Sequence, residues 1–205
     1  EVAWPLRPVL AWCQGPRAAW LGVIALAMFL RKPHALTVPQ LYAEDGSIFL
    51  AFNDLNGLHA LIEPYMGYLH LLPRLIAWGV ARTFDPAWWP AFYNAAAFAG
   101  WLFVLGRMFS RRLDWPGKPW LALAFLIGPQ TGEVLSNITN LQWCTALLLV
   151  QQAVIARPVT WGERMGDLVI VLLVGLTGPF VIALSPLLIW RWWRDRRADN
   201  NNEKQ

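Results

Sequence analysis

Two adjacent carboxylates, Glu44 and Asp45, are the side chains of this sequence whose type and spacing are best suited to chemistry. Neighbouring carboxylates repel each other, which raises the pKa of at least one of them. Such a group can take a proton from an attacking hydroxyl or hold a divalent cation against a phosphate. The alternative is structural: Asp45 caps a short helix that begins at Ser47, and Glu44 is exposed to solvent.

Two further pairs of side chains are candidates for ligand binding. His70 and Arg74 are four residues apart on one side of a predicted helix, and a guanidinium suits bidentate phosphate binding. The alternative is that both side chains extend toward lipid headgroups. Asn137 and Asn140 are predicted to bind a sugar, although hydrogen bonds between helices explain them equally well. The sequence has no phosphate-binding glycine loop, nucleophile elbow or His/Cys metal motif.

The composition indicates that a membrane protein positions these residues. The chain of 205 residues is 57% hydrophobic and 15% charged, whereas ordinary globular chains are about 25% charged. A chain of this length has too little interior to bury so much apolar surface, so a lipid environment is favoured. The same figures exclude a disordered chain, and two cysteines are too few for a disulfide scaffold. Basic residues are dispersed between apolar segments, which argues against nucleic-acid binding.

The apolar segments predict an all-α, polytopic membrane protein with about six short spans, all within a single transmembrane domain, 1–205. The predicted spans are 16–30, 87–109, 115–129, 135–156, 166–176 and 180–190. The last two are one apolar region divided at Thr177-Gly178-Pro179. A long loop, 31–86, follows the first span, and a polar tail, 191–205, follows the last. At about 1.5 Å per residue the first span covers about 22 Å, less than a hydrocarbon core of roughly 30 Å.

The distribution of positive charge favours two spans in the last apolar region over one. Lys and Arg favour the cytoplasmic side of short loops. With six spans and both termini inside, the outer face has Arg31, Lys32, Arg74 and Arg82, and the inner side has the other 13 of the 17 basic residues. A single last span changes this division to nine inside and eight outside. We therefore predict that the loop 31–86 is outside and that the tail 191–205 is cytoplasmic.

The outer loop is predicted to contain two amphipathic helices that lie in the membrane surface. Residues 47–56 have one apolar and one polar face, and Gly57 is placed as the C-terminal stop. Residues 65–82 are predicted to form a second helix, which is bent at Pro73.

The pattern Y-A-E-D-G-S-I-F-L, followed by P-Y-M-G-Y-L-H-L-L-P-R-L, resembles the first outer loop of the GT-C superfamily of membrane glycosyltransferases. In that family an acidic motif follows the first span, with juxtamembrane helices and short, broken spans. The resemblance implies a multi-pass protein of the bacterial inner membrane, embedded in membrane lipids. It implies sugar transfer from a polyprenyl-phosphate donor to a glycan or lipid acceptor on the outer face. Members are normally larger, so a fragment or a short relative is expected.

The resemblance also implies roles for individual residues. Asp45 matches the family's base, or the carboxylate that orients the acceptor beside a divalent cation (Mg²⁺ or Mn²⁺), with Glu44 next to it. The predicted substrate-binding residues are Tyr65, Tyr68, His70, Arg74, Asn137 and Asn140. The alternative function is a non-catalytic polytopic protein, such as a lipid-sugar flippase subunit or a small-solute carrier. A carrier is expected to place charges at broken helices, whereas here they are concentrated in the outer loop.

Overall fold

The computed structural model describes residues 17–128 and 133–202, and all of the regular elements in these ranges are helical. The predicted all-α class is therefore confirmed for this part of the chain. Short 3₁₀ segments cover Gly57–Leu61 and Pro86–Trp88, and a π-helical turn covers Asp45–Leu50. The α-helices are α1 (Arg17–Arg31), α2 (His34–Thr37), α3 (Ala51–Asn56), α4 (Leu71–Thr83), α5 (Trp89–Arg107), α6 (Lys118–Ile127), α7 (Leu141–Val154), α8 (Trp161–Gly175) and α9 (Phe180–Asn202).

Helix α5 is central, because it packs against α1, α4 and α7. Its buried residues include Tyr93, Ala97, Trp101 and Val104, which are three or four positions apart and so share one face. Two glycines allow close helix contacts. A Cβ on Gly100 would lie 2.8 Å from Leu141 of α7, and one on Gly106 would lie 2.6 Å from Leu21 of α1. A second group of contacts joins α7 with α8 and α9.

The observed helices follow the predicted apolar segments in some places and depart from them in others, and membrane crossing by these helices stays a prediction. The predicted division of the last apolar region is found, because α8 ends at Gly175 and α9 begins at Phe180. The predicted start of the fourth span at 135 is wrong, since α7 begins only at Leu141. Residues 133–140 form a loop that contains Ser136 at a left-handed φ of 65°. Helix α9 continues to Asn202, beyond the predicted span end at 190 and through most of the predicted polar tail.

Within residues 17–128 and 133–202, no helix combines the length and the apolar character needed to cross a membrane.

The first helix predicted in the loop 31–86 is confirmed and the second is wrong in its first part. The helical segment from Asp45 to Asn56 ends at Gly57, whose φ of 56° is the expected glycine stop. Residues 65–68 instead form a tight turn, in which the backbones of Tyr65 and Tyr68 exchange hydrogen bonds of 2.9 and 3.2 Å. Because the chain reverses there, α4 begins only at Leu71 and Pro73 lies in its first turn, where no helical N–H is needed.

The beginning of α4 contacts the turn between α8 and α9. The backbone N–H of Leu71 donates to the carbonyl of Leu176 at 3.1 Å. The backbone N–H of Leu72 donates to Oγ1 of Thr177 at 3.0 Å, and that hydroxyl donates to the carbonyl of Leu173 at 2.6 Å. The side chain of Thr177 therefore satisfies one of the amides that a helix start leaves without a partner.

Candidate functional site

Asp45 is completely buried and connects two distant segments of the chain. Its Oδ1 accepts hydrogen bonds from the backbone N–H of Thr139 at 2.9 Å and from the Thr139 hydroxyl at 2.5 Å. Its Oδ2 accepts a hydrogen bond from the N–H of Ile138 at 3.3 Å. The carboxylate therefore fixes the loop before α7, rather than capping the helix that it begins.

The burial of Asp45 also affects its acidity. Burial raises the pKa of this carboxyl, and the hydrogen bonds from Thr139 and Ile138 oppose the rise without cancelling it. A raised pKa makes the carboxylate a stronger base than an exposed aspartate.

The predicted asparagines lie in the same loop as the partners of Asp45. The Asn137 side chain is buried, and its amide donates to the carbonyl of Glu133. The Oδ1 of Asn137 accepts from the N–H of Asn140 at 2.8 Å, and Nδ2 of Asn140 donates to the same Glu133 carbonyl at 3.0 Å. These bonds close the loop on itself, so both amides stabilise the segment that holds Asp45.

A cavity of about 310 Å³ is lined in part by Ser136 and Asn137 of this loop. We call it the Asp45 pocket after the carboxylate that fixes the loop, although Asp45 itself does not line the cavity. Its polar lining residues are Lys32, His34, Gln40, Tyr42, Asn94, Ser136 and Asn137. Lys32 donates from Nζ to the carbonyl of Leu135 at 2.7 Å. Burial lowers the pKa of Lys32, and the charge of Asp45 partly opposes that shift. Nδ2 of Asn94 donates to Ala35, while its Oδ1 is buried with no partner in the described part of the chain.

The sequence interpretation missed most of the residues that line this pocket. Lys32 is one of the basic residues predicted for the outer face, but it is not among the predicted site residues. Asn94 carried a usable signal, because it is an amide in an otherwise apolar stretch of α5. Tyr42 precedes the acidic pair by two positions, but nothing in the sequence shows that it lines a cavity with α5.

The other four predicted substrate-binding residues form a separate cluster. The His70 ring is stacked on Tyr68, with ring centres 4.1 Å apart, and lies 5.4 Å from Tyr65 and 5.5 Å from Phe49. Phe49 is four residues after Asp45 in the same short helix. His70 is buried, its Nδ1 has no partner among the described residues, and burial lowers its pKa.

Arg74 is buried in the same cluster and stabilises it. Its Nε donates to the carbonyl of Leu69 at 2.8 Å and its Nη1 to the carbonyl of Ala60 at 2.6 Å. The guanidinium lies 5.7 Å from the centre of the Phe49 ring. The cluster does not line the Asp45 pocket, so phosphate binding by Arg74 stays a prediction.

A divalent cation requires several oxygen or nitrogen ligands that converge on one point. In residues 17–128 and 133–202 no three His, Cys, Asp or Glu side chains lie close enough to share a metal ion. Both oxygens of Asp45 are already bonded to the 138–139 segment. Glu44 is half-buried, with an Oε2 that has no described partner. These residues do not form a cation site, and the metal stays a prediction.

Comparison with known proteins finds no matching family model, no similar curated protein and no similar solved structure.

Proposed function

We propose that the chain is a membrane glycosyltransferase that moves a sugar from a polyprenyl-phosphate donor to an acceptor on the outer face of a bacterial inner membrane. The observation that carries the proposal is the Asp45 pocket. There the loop that is bonded to a buried carboxylate of raised pKa contributes Ser136 and Asn137 to a cavity that is also lined by a cation and by further polar side chains. A base and a cation are what transfer from a phosphate-linked sugar requires.

The contacts between segments support the membrane topology in this proposal. Segments predicted to be outside contact one another: Lys32 bonds Leu135, and Leu72 bonds Thr177. Segments predicted to be inside do the same, since Arg112 bonds the carbonyl of Ala156. We propose α1, α5, α6, α7, α8 and α9 as the six spans. Spans this short would require a locally thinned bilayer.

In the proposed reaction the acceptor hydroxyl takes the position of the Thr139 hydroxyl at Oδ1 of Asp45. As the acceptor oxygen attacks the anomeric carbon, Asp45 receives its proton, and the polyprenyl phosphate leaves with the electrons of the broken bond. Lys32, on the wall of the Asp45 pocket, faces the leaving phosphate and stabilises its charge. The Oδ1 of Asn94, which has no partner among the described residues, accepts a hydrogen bond from a sugar hydroxyl.

The test is sugar transfer from a polyprenyl-phosphate donor in proteoliposomes, with thermal unfolding measured on the same samples. We expect Asp45→Asn to lower transfer by about 10²-fold or more, the scale of a removed general base. Thr139→Val removes the hydroxyl that the acceptor replaces, and we expect it to keep transfer within about tenfold of the unmutated protein. The matched control is Asp54→Asn, because Asp54 is an exposed carboxylate of the same outer loop.

These variants separate catalysis from a purely structural role of Asp45. A structural role predicts that Asp45→Asn and Thr139→Val reduce transfer alike, because both loosen the same loop. That outcome, or full transfer by Asp45→Asn, contradicts the proposal.

One observation favours a non-catalytic polytopic protein as the second candidate. Asp45 is closed off from solvent and already has three hydrogen bonds, as a purely structural carboxylate would. A flippase subunit or a small-solute carrier would show no transfer with any lipid-linked donor, yet it would move lipid-linked sugar or solute across proteoliposomes. Transport without transfer by the unmutated protein selects this candidate.

A further inference from the structure

We propose that the chain binds an anionic phospholipid in the groove between α8 and α9, with the lipid phosphate at its arginine-rich end. This site is separate from the Asp45 pocket and does not depend on sugar transfer. The groove has a volume of about 540 Å³. The residues that matter for the proposal are Arg164, Leu168, Val171, Leu188, Arg191 and Arg196.

The first support is a surplus of positive charge around the groove. Two carboxylates also line it, Asp167 and Asp195. Each is already engaged by arginines: Asp167 accepts from Arg112 at 2.6 Å, and Asp195 accepts from Arg194 at 2.9 Å.

Further arginines surround the same carboxylates. Arg107 lies 3.2 Å from Asp167, and Arg157 lies 3.5 Å from Asp195. Two carboxylates therefore face more guanidinium groups than they can neutralise, and the surplus charge matches a phosphate group.

The second support is the position of the two arginines at the rim. The side chains of Arg164 and Arg196 are both exposed. The guanidinium of Arg196 lies 4.7 Å from the centre of the Trp192 ring, and that ring is 57% exposed. A tryptophan beside an arginine at the edge of an apolar surface is typical of contact with lipid headgroups.

The third support is the apolar wall that continues from these arginines. Leu168 is 48% exposed, and Val171 and Leu188 line the groove beside it. Large apolar side chains elsewhere on the same two helices are also exposed, including Val169, Leu172, Ile182 and Ile189. A free phosphate would contact only the arginines, whereas a phospholipid also covers the apolar wall. Basic clefts between helices bind anionic headgroups in this way.

The experiment measures lipid binding by the full chain in an uncharged detergent, with native mass spectrometry. We expect phosphatidylglycerol to bind at least tenfold more tightly than phosphatidylcholine of the same acyl chains. Each rim arginine is expected to contribute about fivefold. The double variant Arg164→Gln/Arg196→Gln should therefore lose most of the preference, and the preference should fall with added salt.

The control is Arg82→Gln, in the outer loop. Arg82 lies 4.7 Å from the centre of the Trp78 ring, so it matches the Arg196–Trp192 geometry on a different helix. This variant should keep the full preference for phosphatidylglycerol. Equal binding of the two lipids overturns the proposal, and so does a preference that survives in the double variant.

A last pair of measurements distinguishes a lipid from a free phosphate. Inorganic phosphate should displace phosphatidylglycerol poorly, and Leu168→Asn should weaken lipid binding without changing the binding of inorganic phosphate. Complete displacement by millimolar phosphate, with no effect of Leu168→Asn, identifies a simple anion site and contradicts a lipid site.

Discussion

Asp45 and Asp167 are two carboxylates that the fold withdraws from water by opposite means. Asp45 accepts its hydrogen bonds from two backbone amides and a hydroxyl. Asp167 is surrounded by Arg107, Arg112 and Arg191 at 2.6–3.6 Å. Ion pairs hold Asp167 as an anion, whereas burial among neutral donors leaves Asp45 with a raised pKa. Of the two, the carboxylate with neutral donors is the stronger base, which is the property that the proposed proton transfer requires.

The largest expected effect is the loss of stability when Asp167 is replaced. Asp167→Ala leaves three guanidinium groups mostly buried without their shared anion, which should lower the free energy of unfolding by about 3–5 kcal/mol. The measurement is denaturant or thermal unfolding in detergent micelles. Asp195→Ala is the control, since Asp195 is more exposed (24% against 13%) and should cost less than about 1 kcal/mol. Equal losses of unfolding free energy for the two variants would show that the ion pairs of Asp167 stabilise the fold no more than those of the more exposed Asp195.

A smaller loss of stability is expected when Asp45 is replaced. Asp45→Ala leaves the buried N–H groups of Ile138 and Thr139 without an acceptor, which should lower the free energy of unfolding by about 1–3 kcal/mol. The same unfolding experiment measures it, with the exposed Asp54→Ala expected to change stability by less than about 0.5 kcal/mol. If Asp45→Ala costs as much as Asp167→Ala, neutral donors and ion pairs stabilise these carboxylates equally.

The smallest effect concerns His70, another buried ionisable group among mostly neutral neighbours. Its folded pKa is lowered by burial, so between about pH 6.5 and that lower value the unfolded state binds more protons. The contribution of His70 to the free energy of unfolding is therefore fully present above about pH 6.5. It is lost as the pH falls toward the lowered pKa, by at most about 1.4 kcal/mol per pH unit. Unfolding between pH 5 and 8 measures this slope.

His70→Asn should remove that part of the slope, because asparagine does not titrate and tolerates the left-handed backbone at this position (φ 51°). The control is His59→Asn: His59 is exposed beside Glu63, and the variant should keep the slope. An unchanged slope in His70→Asn would show that the histidine protonates without disturbing the cluster.

The sequence predicted most of the longer helices because their signals are local. Long apolar segments predicted the helical elements, and Thr177-Gly178-Pro179 predicted the break between α8 and α9. The turn at 65–68 was not predictable in the same way. It places Met66 at a φ of 54°, a conformation that non-glycine residues seldom adopt. Only Gly67 marked it, within a pattern that otherwise reads as an amphipathic helix.

The site was predictable to the extent that its residues are close in sequence. Asn137 and Asn140 are three positions apart and were both predicted as site residues, and the hydrogen bond between them is local. Asp45 was singled out from its type and position, but its partner Thr139 is 94 residues away, and that pairing depends on how α1, α5 and α7 pack. For the same reason Lys32, Tyr42 and Asn94 were not recognised as lining one cavity.

The hydrogen bonds from α4 to the α8–α9 turn have a consequence for local unfolding. The amide of Leu72 is protected by Thr177, which is 105 residues away in the chain. Its hydrogen can exchange with solvent only when α4 separates from that turn. Leu71, bonded to Leu176, shares this requirement. The exchange rate of these two amides therefore measures how often α4 separates from the turn between α8 and α9.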